Sequence, residues 1–325
     1  MLRHGVLVHV SETGTALYTV RAGSPRLVNI DFIRRICDLA DRYAEGYLRF
    51  TSRNNVEFML PNKDNIDPLI AELEGMGIPV GGTGRVVHNM LHSQGWMHCH
   101  TPASADASGI TKAVMDELYE YFKAGDLPHR VKIAFACCTA SCGGIYWSDI
   151  AILALHRRPP KVNHEYVWRV CEIPTTLASC PVAAIKPTYV NGKSSVTIDE
   201  DKCVYCGNCY SICSACEIID PVNDVLSIWA GGKLANARSE PMLGKLVVPA
   251  LPSNPPRWPE VVAAVKKIVE VYAQNARKYE RVGEWINRIG WPRFFELTGF
   301  EFTKYHIDDH KHAGQTYKKS VQLKF

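Results

Sequence analysis

The apolar positions between residues 15 and 80 change period several times. Ala16–Arg21 alternates with period two, as a half-buried strand does. Ile30, Phe32, Ile33, Ile36, Leu39 and Tyr43 then recur at helical spacing behind Asp31, and Gly46 stops that helix. Tyr47–Thr51 and Val56–Leu60 read as strands flanking a turn at Ser52–Asn55. Asp64–Gly75 reads as a second helix ending at Gly75 or Gly77. Helices laid on one face of an antiparallel sheet, an α+β arrangement, follow from this order.

Beyond Gly81-Gly82-Thr83-Gly84 the pattern shifts. Ile110, Ala113, Val114, Leu118, Tyr121 and Phe122 make one helical apolar face. Val131–Ala136 is a continuous apolar run, read as a buried strand with Cys137 and Cys138 at its end. Residues 171–220 are rich in Cys, Pro and Gly and poor in long periodic segments, which marks an inserted small module. Pro259 suits the first turn of a helix, where its missing N–H costs nothing. Val261, Val262, Val265, Ile268, Val269 and Tyr272 form a long amphipathic face behind it. The tail to Phe325 is polar and basic and is expected to wrap a partner. No low-complexity tract or short-period repeat appears. The expected organisation is a half-domain over 1–80, a second α+β unit made of 81–170 and 236–325, and an insert over 171–235.

Composition narrows the classes. The 325 residues suit two or three compact units, with an ordinary 46% hydrophobic and 22% charged content. A net charge of +4 is too mild to imply nucleic acid. No segment reaches the ~18 apolar residues of a membrane helix. The first residues, MLRHGVLVHVSETG, hold too short an apolar run for a signal peptide, so a cytoplasmic location is expected. Strand-like pattern begins almost at once, which leaves room for a missing upstream segment.

The twelve cysteines change the picture, because ten of them lie between 99 and 213. In a cytoplasmic chain such crowding argues for metal or redox chemistry over a disulfide framework. Cys203-Val-Tyr-Cys206-Gly-Asn-Cys209 places three thiolates at two-residue spacing, and Cys180-Pro181 lies upstream. Such a loop wraps one corner of a cubane whose fourth thiolate comes from a Cys-Pro elsewhere, as in bacterial ferredoxins. Zinc and unliganded thiols are the competing readings, but zinc sites usually present two CxxC pairs. Cys180, Cys203, Cys206 and Cys209 are therefore candidate ligands of a 4Fe–4S cluster in a ferredoxin-type insert. Cys213 and Cys216 are expected to be buried thiols, since no first CxxCxxC set precedes Cys180.

Cys137-Cys138-Thr-Ala-Ser-Cys142-Gly-Gly is a second constellation. Glycines after a Cys-x3-Cys at a strand end let the backbone approach a bulky cofactor. With Cys99 in GWMHCHTPA, the set Cys99, Cys137, Cys138 and Cys142 would complete another 4Fe–4S cluster. At these residues the sequence resembles the siroheme-binding half of the sulfite and nitrite reductase family. The CC-x3-C form with a ferredoxin-like insert is similar to the beta-type chains of the dissimilatory sulfite reductases. One departure stands out. The family's Cys-x5-Cys would pair Cys99 with position 93 or 105, which are Ser93 and Ala105; Cys137 takes the place of the missing ligand.

The resemblance implies that Cys142 bridges the cluster to a siroheme iron. It also implies anion-facing residues. Leu127-Pro128-His129-Arg130-Val131-Lys132 is similar to the family's LPxKxK stretch, with Arg130 in place of its first lysine and Lys132 matching its second. Arg21, Arg53 in FTSRNN, and His88 fall at other anion-facing positions of the family. Arg53, Arg130 and Lys132 would also hold the macrocycle's carboxylates. The bland reading, solvated Arg and Lys at strand ends, competes for all of them. The implied activity is six-electron reduction of sulfite to sulfide, or the reverse, with electrons entering through the second cluster. The implied partners are a homologous alpha subunit, in an assembly of two alpha and two beta chains, and a small cysteine-bearing sulfur carrier. In the family a tetrapyrrole takes its cluster from one half and its distal cations from the other, so this chain's cations would face the alpha chain's tetrapyrrole. The rival readings are a siroheme nitrite reductase subunit, a non-catalytic iron–sulfur electron-transfer subunit, and a zinc-ribbon interaction protein.

Overall fold

The computed structural model describes residues 1–95, 99, 106–234 and 239–306. Its first unit contains strands β1 (Val6–Val10) and β2 (Ala16–Gly23), helix α1 (Ile30–Tyr43), strands β3 (Leu48–Phe50) and β4 (Asn55–Leu60), and helix α2 (Ile66–Gly75). The strands form an antiparallel sheet in the order β1-β2-β4-β3. The Asn29 side chain accepts the Phe32 N–H and so caps α1, satisfying a donor that the helix itself leaves open. Ile36, Leu39, Leu69 and Leu73 of the two helices share one core with Val20 and Phe58 of the sheet. The pleat turns Glu57 and Arg21 to the other face, where they sit opposite each other in register, with Arg49 on the far side of Glu57.

The second unit carries β5 (Leu91–His92), α3 (Ala107–Glu117), α4 (Tyr119–Lys123), β6 (Ile133–Ala136) and β7 (Ile150–Leu155). The apolar face expected to run from Ile110 to Phe122 in one helix is divided at Leu118, the C-cap of α3 and N-cap of α4. From β7 the chain leaves the sheet through β8 (Lys161–Val162), α5 (His164–Val170), α6 (Ile173–Ala178), β9 (Ile185–Val190), β10 (Lys193–Ile198), α7 (Asn208–Ile212) and β11 (Cys216–Glu217). It returns as β12 (Val225–Ala230), followed by β13 (Lys245–Pro252), α8 (Pro259–Asn275), α9 (Val282–Ile289) and α10 (Trp291–Thr298). The five-stranded sheet runs β13-β12-β7-β6-β5, with β5, β6 and β7 parallel and β12 antiparallel to both of its neighbours. Ile133 and Phe135 point into the core shared with α3 and α8, while Ala134 and Ala136 point to a smaller cluster on the opposite face.

The excursion is longer at its start and shorter at its end than the composition indicated. Val225 pairs with Leu155, so the chain leaves and rejoins the sheet at one point, and residues 156–224 form the module. Lys161–Val162 pairs with Cys216–Glu217, and Val167 lies in the module's own core with Ile185 and Val196. Val225–Ala230, by contrast, is the strand between β7 and β13. The expected limits of 171 and 235 follow cysteine density, whereas strand pairing brackets 156–224. At the neck His156 Nδ1 and Asp224 Oδ2 lie 3.0 Å apart, both buried, and Arg158 Nε donates to Asp220 Oδ2 at 3.0 Å. The expected wrapping tail from 307 onward lies outside the described residues. No helix among the described residues is long and apolar enough to cross a membrane.

Phe58 is fully buried in the first core, whereas Phe50 is 71% exposed. Phe58→Ala is expected to cost about 3–5 kcal/mol, and Phe50→Ala no more than about 0.5 kcal/mol. Urea denaturation midpoints of the purified protein check this; equal shifts for the two variants would contradict the placement of that core.

Candidate metal and anion sites

Cys137 and Cys138 directly follow strand β6. The Cys137 N–H donates to Ser93 Oγ at 3.0 Å, just past the neighbouring strand β5, and the Cys99 N–H donates to the Gly95 carbonyl at 2.8 Å. The Sγ atoms of Cys99, Cys137 and Cys138 all lie within 4.8 Å of one another. Cys137 and Cys138 are almost wholly buried, and Cys99 is half-buried. Hydrogen bonding to the Cys138 thiol, then to Cys99, then burial, drives the Cys137 thiol far above its usual range. A cation among the sulfurs would reverse that, since a coordinating thiol is deprotonated outright. An all-thiol donor set selects iron–sulfur or zinc over hard metals, so these residues fit an iron–sulfur group. Cys142 lies on the same loop but outside the three-sulfur group, and is exposed. A Cβ on Gly143 would sit 1.8 Å from the Phe135 carbonyl oxygen, so only glycine lets this loop fold back on β6.

The second thiol group lies in the module. Cys180, Cys203, Cys206 and Cys209 line one cavity with Pro181 and Ile198. Tyr205 and Gly207, at φ 55° and 78°, curl the loop between the cysteines so that its thiols face one space. Burial raises the Cys203 and Cys206 thiols. The four donors and their apolar wall fit a second iron–sulfur group. The expectation for Cys213 is corrected: it is bonded to Cys171, at a Cα–Cα separation of 5.2 Å that suits a disulfide. Cys216 is a buried thiol, as expected.

The basic residues gather at the opposite end of β6. Arg21 is fixed from beneath by Glu57, whose Oε1 accepts its Nε at 2.7 Å, while its Nη1 donates to the Gly82 carbonyl at 2.8 Å. Arg53 Nη1 donates to the Ile133 carbonyl at 3.0 Å and to the Asn89 carbonyl at 3.2 Å. Arg130 and Lys132 precede β6 directly, and Arg130 Nε is buried without a hydrogen-bond partner. His88 is lowered to about 3, chiefly by burial and further by Arg21, Arg53 and Lys132. Lys132 is lowered to about 8, first by burial and then by Arg53, Arg130 and Arg281, with Asp149 opposing. Burial likewise lowers Arg53 to about 10. Arg21, Arg53, His88, Arg130 and Lys132, far apart in sequence, thus share one electrostatic neighbourhood.

Sequence reasoning missed three charged groups here. Glu57 and Asp149 are fully buried, and Arg281 caps α9 while donating Nε to Asp149 Oδ1 at 2.9 Å and Nη2 to Oδ2 at 2.5 Å. The available signal was Asp149 placed directly before the apolar run of β7, since a charge entering a buried strand needs a partner. The four residues of β6 separate Lys132 from Cys137, which sets their Cα atoms roughly 16 Å apart.

Two family models match the chain: the nitrite and sulphite reductase 4Fe-4S domain over residues 83–305, and the nitrite/sulfite reductase ferredoxin-like half domain over residues 9–76. The chain is 50% identical to the dissimilatory-type sulfite reductase subunit beta of Archaeoglobus fulgidus, covering 100% of this chain and 91% of that protein. It is 47% identical to the corresponding beta subunit of Nitratidesulfovibrio vulgaris, covering 88% of that protein. It is also 23% identical to the alpha subunit of the dissimilatory-type enzyme from Allochromatium vinosum, over 91% of this chain and 74% of that protein. The fold matches the crystal structure of dissimilatory sulfite reductase I with a TM-score of 0.82 at 20% identity, over 94% of this chain and 76% of that one. Matched along both of its units and at half identity along its whole length, the chain belongs to the nitrite and sulfite reductase family, among the beta subunits of the dissimilatory type.

Proposed function

We propose that this subunit works in the six-electron interconversion of sulfite and sulfide, with a siroheme and two 4Fe–4S clusters as cofactors. The observation that carries the reading is the placement of three converging thiols at one end of β6 and of the cationic group at the other. Cys99, Cys137, Cys138 and Cys142 would hold the cluster tied to the siroheme, and Cys180, Cys203, Cys206 and Cys209 the cluster of the module. When bound, these groups supply the iron at which the oxyanion is reduced and the path by which single electrons arrive. The exposure of Cys142, beside the buried Cys137 and Cys138 and the half-buried Cys99, suits a thiolate that also reaches outward to a macrocycle.

The chain's own cations bind and orient. Arg130, Lys132, Arg53 and Arg21 offer positive charge and N–H donors to an oxyanion or to macrocycle carboxylates. Lys132, lowered to about 8, can pass a proton near neutral pH as S–O bonds break, whereas His88, lowered to about 3, stays neutral and serves as a hydrogen-bonding group. The strand-length gap of roughly 16 Å between the Lys132 and Cys137 backbones suits a shared arrangement, in which this chain's cations face a tetrapyrrole bound to the homologous alpha subunit. The assembly would be a cytoplasmic tetramer of two alpha and two beta subunits, handing reduced sulfur to a small cysteine-bearing carrier.

Purified with its alpha partner, the complex should show siroheme absorption bands and turn over sulfite much faster than nitrite. Faster nitrite turnover would make it a siroheme nitrite reductase, and iron–sulfur absorption alone an electron-transfer subunit. Cys142→Ser is expected to abolish sulfite turnover while the low-temperature EPR signal of the module's cluster persists; undiminished turnover would remove Cys142 from the bridge. Cys206→Ser is expected to cut turnover at least tenfold while the siroheme spectrum stays intact. Loss of that spectrum as well would mean that the variant fails to assemble.

A further inference from the structure

We propose that Asp149 is the positioning residue of the cationic group: its buried carboxylate fixes the main chain at Lys132 and ties down Arg281, leaving Arg130 and Lys132 to meet an oxyanion. This rests on the anion-binding reading above. Lys132 and Asp149 stand just before the adjacent parallel strands β6 and β7, where Ile133 pairs with Ile150. Asp149 Oδ2 accepts the Lys132 N–H at 2.8 Å, and the same carboxylate takes both donors of the Arg281 fork. Its carbonyl oxygen accepts the Gly231 N–H at 2.9 Å just beyond β12. One residue therefore locks β6, β12 and the start of α9 around the cations. The Arg281 side chain is only 4% exposed and its fork is taken up by Asp149. It is thus a fixed background charge, held away from any ligand.

The consequence is electrostatic and has a sign. Lys132 faces Arg53, Arg130, Arg281 and Asp149, and His88 lies in the same field. Arg281 disfavours the Lys132 ammonium and Asp149 favours it. Removing Asp149 alone leaves Arg281 uncompensated, so Lys132 loses its proton at lower pH. Removing Arg281 alone has the reverse effect, and removing both nearly cancels. An anion bound by the Lys132 ammonium is held below the lysine's pKa and released as pH rises through it.

The test uses the purified complex of alpha and beta chains with Asp149→Asn, Arg281→Gln and the double variant. Sulfite dissociation constants are read from siroheme absorbance between pH 6 and 9. In parallel, acylation of Lys132 by acetic anhydride is followed against pH by peptide mass spectrometry. Asp149→Asn should move both the binding limb and the acylation curve to lower pH, weakening binding severalfold at pH 8 with little change at pH 6. Arg281→Gln should move both to higher pH, and the double variant should return them close to the parent. Should Asp149→Asn prevent assembly, Arg281→Gln alone still carries the signed expectation. Equal weakening at every pH, an unmoved curve in Arg281→Gln, or a double variant displaced like Asp149→Asn would overturn the proposal. If Lys132 acylation shifts as stated while sulfite binding ignores both Lys132 and Arg130, the anion-binding reading fails and the positioning role stands.

Discussion

Several cations can share a small, partly buried volume only where buried carboxylates lie under them. Glu57 and Asp149 meet that requirement here, each with no measurable exposure. Glu57 sits on the outward face of the first sheet between Arg21 and Arg49, and Asp149 sits at the entry of β7 beneath Arg281 and Lys132. The first and second units thus contribute one carboxylate each to a common cationic region, and Arg53 crosses between them to the Ile133 carbonyl. Pairing engages Arg21 and Arg49 through Glu57 and takes the buried Arg281 out of competition for ligand. What remains free to act is a smaller set, aimed by the sheet.

Strand β6 gives the region its scale. Its four residues separate a polar end that attracts anions from a thiol end that suits soft metal. Ser93 and Gly143 keep the thiol end compact, the first by accepting the Cys137 N–H and the second by allowing the loop to touch Phe135. Metal donors and anion donors thus stand at opposite ends of one strand. The chain is also 23% identical to an alpha subunit along 91% of its length.

Periodicity made much of the fold legible. Helix α1 spans Ile30–Tyr43 and α8 begins at Pro259, where the apolar spacing and the proline placed them. The structure also brings Cys180, 23 residues upstream of Cys203, to the cavity lined by Cys203, Cys206 and Cys209. The failures have a common physical cause. Limits of the module, the break at Leu118 and the Cys171–Cys213 bond all depend on which segments meet in space, and local pattern does not encode that. Arg281 was invisible for the same reason: in RVGEW it looks like a solvated charge, and only the approach of Asp149 makes it a buried one.

The neck of the module follows the same rule as the cationic region. A 69-residue excursion, 156–224, that leaves and rejoins a sheet between two hydrogen-bonded strands can swing unless its base is fixed. Here the base is polar: the buried His156 meets Asp224, and the partly buried Arg158 reaches the Asp220 carboxylate and the carbonyls of Glu217 and Ile219. Apolar contacts at the neck would be indifferent to small rotations, whereas directional donors on Arg158 define one orientation. The carbonyls that Arg158 grips lie at the end of β11 and just beyond it, and Cys216 of that strand packs in the module's core with Cys209. The orientation of the second thiol group relative to the main sheet is therefore set by charge-assisted hydrogen bonds at the neck. Electron delivery through that group, as proposed, calls for a fixed gap, which a directional polar base keeps.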